Sequence, residues 1–185
     1  MIKHFQWILM VLLFAGLLPS GSIFAHDKSQ NNKVPQEFCG QLSGAMEEYF
    51  ELESAIFDEN VKIAAEKAAL LKKAFEALKA DALTSTQQAQ WQKEILTLEQ
   101  AVVGLVSGKE IKEQRSGFLA ISNVLIEIVK KFGPLNYDTF LLHCPMAVES
   151  GGHWLSNTKD IANPYFGESM SGCGTLVETF AKTTD

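Results

Sequence analysis

The 185-residue chain carries 16 basic and 22 acidic residues, a formal net charge of −6. Its lysines, such as Lys67, Lys72, Lys73, Lys130 and Lys131, are interspersed with acids, so the clustered positive charge that a phosphate backbone needs is missing and no nucleic acid is expected as a partner. Three cysteines, an odd number, leave at least one thiol outside any bridge within a monomer.

Residues 1–25 read as a signal peptide: a basic start at Lys3, an apolar core from Trp7 to Leu18, and small residues leading to Ala25. Ile23 fits the small-x-small cleavage rule less well than alanine would, and an uncleaved anchor is the alternative. The apolar core is twelve residues long, short of the roughly 18 that a spanning helix needs. The mature chain is therefore expected to be periplasmic or otherwise exported, with no stable membrane span after signal removal. Without Lys3, 15 basic residues face 22 acidic ones. Cys39 follows Glu37 and Phe38 instead of small residues, which argues against lipid attachment.

Residues 26–37 are polar and form a flexible lead-in. Over residues 38–133, four segments repeat apolar side chains at intervals of three and four, the signature of amphipathic helices. The stripes are Leu42, Ala45, Tyr49, Leu52 and Ile56; Val61, Ala64, Ala68, Leu71, Phe75 and Leu78; Trp91, Ile95, Leu98, Val102 and Leu105; and Phe118, Ile121, Leu125, Ile128 and Phe132. Asp58-Glu59-Asn60 and Thr84-Ser85-Thr86 offer caps, Ser107-Gly108 separates the third segment from the fourth, and Gly133-Pro134 stops the last. The fold class expected is all-α: an up-down four-helix bundle with an irregular tail, rich in Cys, Met and aromatic residues, over residues 134–185, packed on the bundle as part of the same domain.

The tail carries the chemistry. Cys144-Pro145-Met146 and Met170-Ser171-Gly172-Cys173 supply two thiols and two thioethers on two short loops, with His143 and His153 close in sequence. Soft sulfur donors favour Cu(I) over hard ions. Zinc would gain little from methionine, and calcium would want carboxylates that these loops lack. The candidate metal ligands are Cys144, Met146, Met170, Cys173, His143 and His153, with Cu(I) the candidate ion and no other cofactor. The competing reading is a Cys144–Cys173 disulfide that pins the tail to itself, as exported cysteines commonly do; one pair can be bridged when empty and metal-bound when reduced. Both readings stay open on spacing alone. For the histidines, the plainer role is a hydrogen-bonded or solvent-facing loop residue, and for Cys39 and Met46 a place in the core. Trp154, Tyr165 and Phe166 either shield a site or seal the end of the bundle.

No serine-nucleophile elbow, His-Glu-x-x-His helix or phosphate-cradling glycine loop occurs, so no catalysis is expected. A thiol enzyme remains the least favoured alternative, since Pro145 directly after Cys144 leaves no helix start to activate that thiol.

The ordered run Cys144-Pro145-Met146-Ala147, Trp154-Leu155-Ser156-Asn157, Asn163-Pro164-Tyr165-Phe166-Gly167, Met170 and Cys173-Gly174 resembles a small helical domain of unknown function found in bacterial exported proteins. That domain is similar to the C-terminal extension of certain periplasmic adaptor proteins of heavy-metal efflux pumps. Tyr49, residues 71–78, Trp91 and Arg115 before Phe118 resemble its helical part. The resemblance implies an exported helical domain that handles copper or a related soft metal, with Cys144, Met146, Met170 and Cys173 as ligands and no catalysis. The expected function is Cu(I) binding or a metallochaperone-like role linked to heavy-metal efflux or resistance, with efflux-system proteins as candidate partners. The alternative is an interaction or adaptor module held by the Cys144–Cys173 bridge.

Overall fold

A computed structural model describes residues 33–147 and 151–182. The expected signal sequence and nearly all of the lead-in lie outside these residues. Among the described residues, no helix is long and apolar enough to cross a membrane.

Four α-helices follow the four apolar stripes: α1 (Gln36–Phe57), α2 (Val61–Glu76), α3 (Ser85–Ser107) and α4 (Ile111–Phe132). Their boundaries have chemical causes. The Asn60 side chain accepts the Ile63 amide at the start of α2. Thr84 and Gln87 form a reciprocal capping box on α3. Gly108 ends α3, and Gly133 ends α4. The four helices pack in sequence around one core, α1 against α2, α2 against α3 and α3 against α4. At one end Trp91 gathers an aromatic cluster from all four helices, with Phe38 at 5.0 Å, Phe132 at 5.2 Å and Phe75 at 6.0 Å between ring centroids. Gly117 sits in the middle of α4 against helix propensity because α3 passes directly over it: a Cβ there would lie 2.6 Å from the Leu105 Cα.

The tail corrects one expectation. Instead of an irregular extension on an all-α protein, it forms a three-stranded antiparallel sheet, so the fold is a helical bundle with a small sheet. The strands are β1 (Thr139–Cys144), β2 (Gly152–Ser156) and β3 (Thr175–Phe180), in spatial order β2-β1-β3. The centre strand β1 is buried at five of its six positions. A strand covered on both faces shows no alternation of apolar and polar residues, which is why its sequence carries no strand period.

The sheet is fastened to the bundle at the seam between α1 and α4, helices that touch each other sparingly, and β2 contacts both. As an edge strand, β2 needs partners for the backbone groups that face away from β1. Tyr49 of α1 accepts the Leu155 amide at 3.1 Å, and the Tyr165 hydroxyl donates to the His153 carbonyl. A line of rings continues the attachment: Tyr49 stacks on Phe118 at 5.5 Å, Phe118 meets Tyr165 at 5.8 Å, and Tyr165 meets Trp154 at 5.9 Å. Arg115 adds a polar tie, donating to the Pro164 carbonyl at 3.0 Å and pairing with Glu59 at 2.9 Å.

Candidate functional site

Cys144 closes β1 and is fully buried, and Cys173 lies just before β3, partly exposed. The fold brings them together from 29 residues apart: the two Sγ atoms stand 3.0 Å from each other, both as free thiols. The Cys173 thiol is held above its usual value, first by its contact with the Cys144 sulfur and then by desolvation.

The loop that delivers Cys173 is built on Asn163, which is fully buried. Its side-chain amide donates to the Cys173 carbonyl at 2.6 Å, its side-chain oxygen accepts the Tyr165 amide at 2.9 Å, and its own amide donates to the Ser171 carbonyl at 2.9 Å. One residue thus holds both ends of the 163–173 loop. The sequence marks Asn163-Pro164 as a turn, an Asx turn being what asparagine does locally; the grip on Cys173 arises only once the loop closes. Two glycines make room. A Cβ on Gly152, paired with Cys144, would fall 2.7 Å from the Tyr165 ring, and one on Gly174 would fall 3.0 Å from the Trp154 ring. The aromatics therefore lie directly against the backbone around the thiols, forming an apolar wall.

The other expected ligands fall at different places. Met170 ends the short 3-10 helix Gly167–Met170, and its carbonyl accepts the Cys173 amide at 3.0 Å, so one turn of chain links the thioether residue to the thiol. Met146 follows Cys144 in an exposed turn and is 59% exposed. His143 and His153 pair with each other across β1 and β2, ring centroids 4.3 Å apart. His143 precedes Cys144 on the same strand, and successive strand residues point to opposite faces, so the imidazole pair and the thiol pair lie on opposite sides of the sheet. Among the described residues, no three His, Cys, Asp or Glu side chains converge on one point. Cys39 stands apart in α1, buried, its thiol directed at the Phe132 carbonyl at 3.6 Å.

Beside the site is a carboxyl that the sequence does not single out. Glu53 of α1 is 8% exposed and lines a cleft of about 300 Å³ between α1 and residues 156–162. Burial pushes its pKa up to about 8, countered in part by the facing side chains of Ser156 and Trp154. Trp154 Nε1 is itself buried without an acceptor in hydrogen-bonding geometry, which leaves the Glu53 carboxyl as the polar group facing it. The apolar stripe of α1 hides this residue, because Glu53 adjoins Leu52 and a helical wheel alone does not say that a sheet will cover its position.

Among known protein families, residues 45–137 match one described as a protein of unknown function (DUF3347). The matched span covers most of the helical part, where the resemblance rested on fewer residues, and ends before β1. No curated protein and no solved structure matches the chain.

Proposed function

We propose, for a chain that belongs to the DUF3347 family of proteins of unknown function, that it is an exported Cu(I)-binding or metallochaperone-like protein. Its cargo ion is held by the thiolates of Cys144 and Cys173, and the role is linked to heavy-metal efflux or resistance. The observation that carries this reading is the 3.0 Å approach of the two sulfurs.

The donor chemistry fits. Thiolates are the soft ligands that select Cu(I), and a thioether is compatible with them. One thiol is anchored on a buried strand while the other sits on a partly exposed loop flanked by Gly172 and Gly174, so the loop can adjust to admit an ion. Met170, one turn before Cys173, is the thioether we assign as the supplementary ligand, with Met146 a peripheral one at the exposed turn. Trp154 and Tyr165 exclude water from the buried side. Binding releases thiol protons, so affinity rises with pH. The signal-like segment supports export, and the ordered tail motifs support the connection with efflux adaptors.

Competition between the reduced protein and a chromophoric Cu(I) chelator tests the proposal. The protein should withdraw one equivalent of Cu(I), and Cys144→Ser or Cys173→Ser should each abolish that competition. Full affinity in the Met146→Ala, Met170→Ala double variant would remove the thioethers from the ligand set.

The second reading rests on the same approach of sulfurs together with β3, where Leu176 is 45% and Val177 53% exposed on an edge strand. In that reading Cys144 and Cys173 are bridged and the tail docks on a partner protein. A non-reduced mass lower than the reduced mass by two hydrogens, and unchanged by exposure to copper, would favour it.

A further inference from the structure

We propose that His143 and His153 form a second metal site, separate from the thiols, that takes a borderline divalent cation of the Cu(II), Ni(II) or Zn(II) class through two imidazole nitrogens.

The strand register creates the pair. His143 of β1 stands opposite His153 of β2. The Leu155 amide and the His153 carbonyl, which bond to Tyr49 and Tyr165, face away from β1. His143 and His153 therefore occupy a non-hydrogen-bonded antiparallel position, the one that brings facing side chains closest. The rings lie 4.3 Å apart with planes inclined by 32°. Two imidazoles this close can share one cation between their ring nitrogens after a small side-chain rotation.

The surroundings hold the pair in place. Gly151 has φ +81°, and a Cβ there would lie 2.3 Å from His143 Nε2, so this glycine leaves the space that the ring fills. Tyr165 fixes the backbone of His153. Imidazole suits copper(II), nickel and zinc, whereas the softer Cu(I) is better served by the thiols across the sheet. Among the described residues no third His, Cys, Asp or Glu completes the group.

The test uses Cys173→Ala protein, which removes the exposed thiol while leaving both histidines. Titration with Cu(II) followed by electron paramagnetic resonance should give one bound ion per chain with hyperfine structure from two nitrogens. Adding His143→Gln or His153→Gln should weaken that binding at least tenfold. Unchanged binding in both histidine variants would overturn the proposal. Should those variants unfold, nuclear magnetic resonance of Cys173→Ala with its histidines intact decides: substoichiometric Cu(II) should broaden the ring protons of His143 and His153 together, and broadening of only one, or neither, refutes a shared site.

Discussion

Tyr49 Oη accepts the Leu155 amide at 3.1 Å across 106 residues of sequence, and so joins the first helix to the outer edge of the sheet. The same oxygen lies 2.8 Å from Ser122 Oγ on α4, and having accepted from Leu155 it can donate to Ser122. One buried hydroxyl thus serves α1, α4 and β2 at once, and the helix that carries it is where the family match begins. Tyr49→Phe keeps the ring that stacks on Phe118 but strands a buried amide and a buried hydroxyl. The expected cost is about 1–3 kcal/mol of stability, measured by urea unfolding, with hydrogen exchange accelerating most at Leu155.

Glu53 gives the fold a dependence on pH. Its carboxyl titrates near its ordinary value of 4.5 when the chain is unfolded and at about 8 when buried. The folded state therefore holds an extra proton between those values. The stabilising contribution is complete below about 4.5 and declines as pH rises toward about 8, above which the buried carboxylate weighs against folding. Glu53→Gln keeps the shape without the charge. The variant should gain stability over the parent between pH 6 and 9, by up to a few kcal/mol, since each tenfold change in proton affinity between the folded and unfolded chain is worth ~1.4 kcal/mol. The two proteins should converge near pH 4. Chemical denaturation at a series of pH values reads this difference directly.

Asn163 is the residue through which loop geometry reaches the thiol, because its amide holds the Cys173 carbonyl at 2.6 Å. Asn163→Ala should free the loop without touching either sulfur. Alkylation of Cys173 should speed up several-fold, and Cu(I) affinity should fall by about tenfold, as expected when ordering a loop must be included in the cost of binding. Peptide mass mapping of the alkylated protein separates Cys173 from the buried Cys39 and Cys144.

The helices were legible because each stripe is long and each break is chemical: Asn60, Thr84 with Gln87, Gly108 and Gly133 all act where their side chains, or lack of them, suggest. The sheet was not. Its strands are five or six residues long; β1 is covered on both faces, while β3 is exposed along nearly its whole length, so neither shows a period of two. The candidate site was legible in the same uneven way. The meeting of Cys144 and Cys173 follows the pairing that their placement on two short loops suggested, whereas the separation of His143 from Cys144 could not be seen before the segment was known to be a strand. Neighbours in sequence become neighbours in space on a loop but opposites on a sheet. Glu53 escaped notice, and Asn163 stood out only as part of a motif and a turn, because the roles of both arise from tertiary closure.

The central claim is that a soft ion sits between two thiolates brought together by the tail. X-ray absorption at the copper edge, on reduced protein loaded with one equivalent of Cu(I), measures the nearest atoms. The account predicts a first shell made of sulfur that is lost in Cys173→Ala. A first shell of nitrogen or oxygen, or a sulfur shell that survives that substitution, would contradict it.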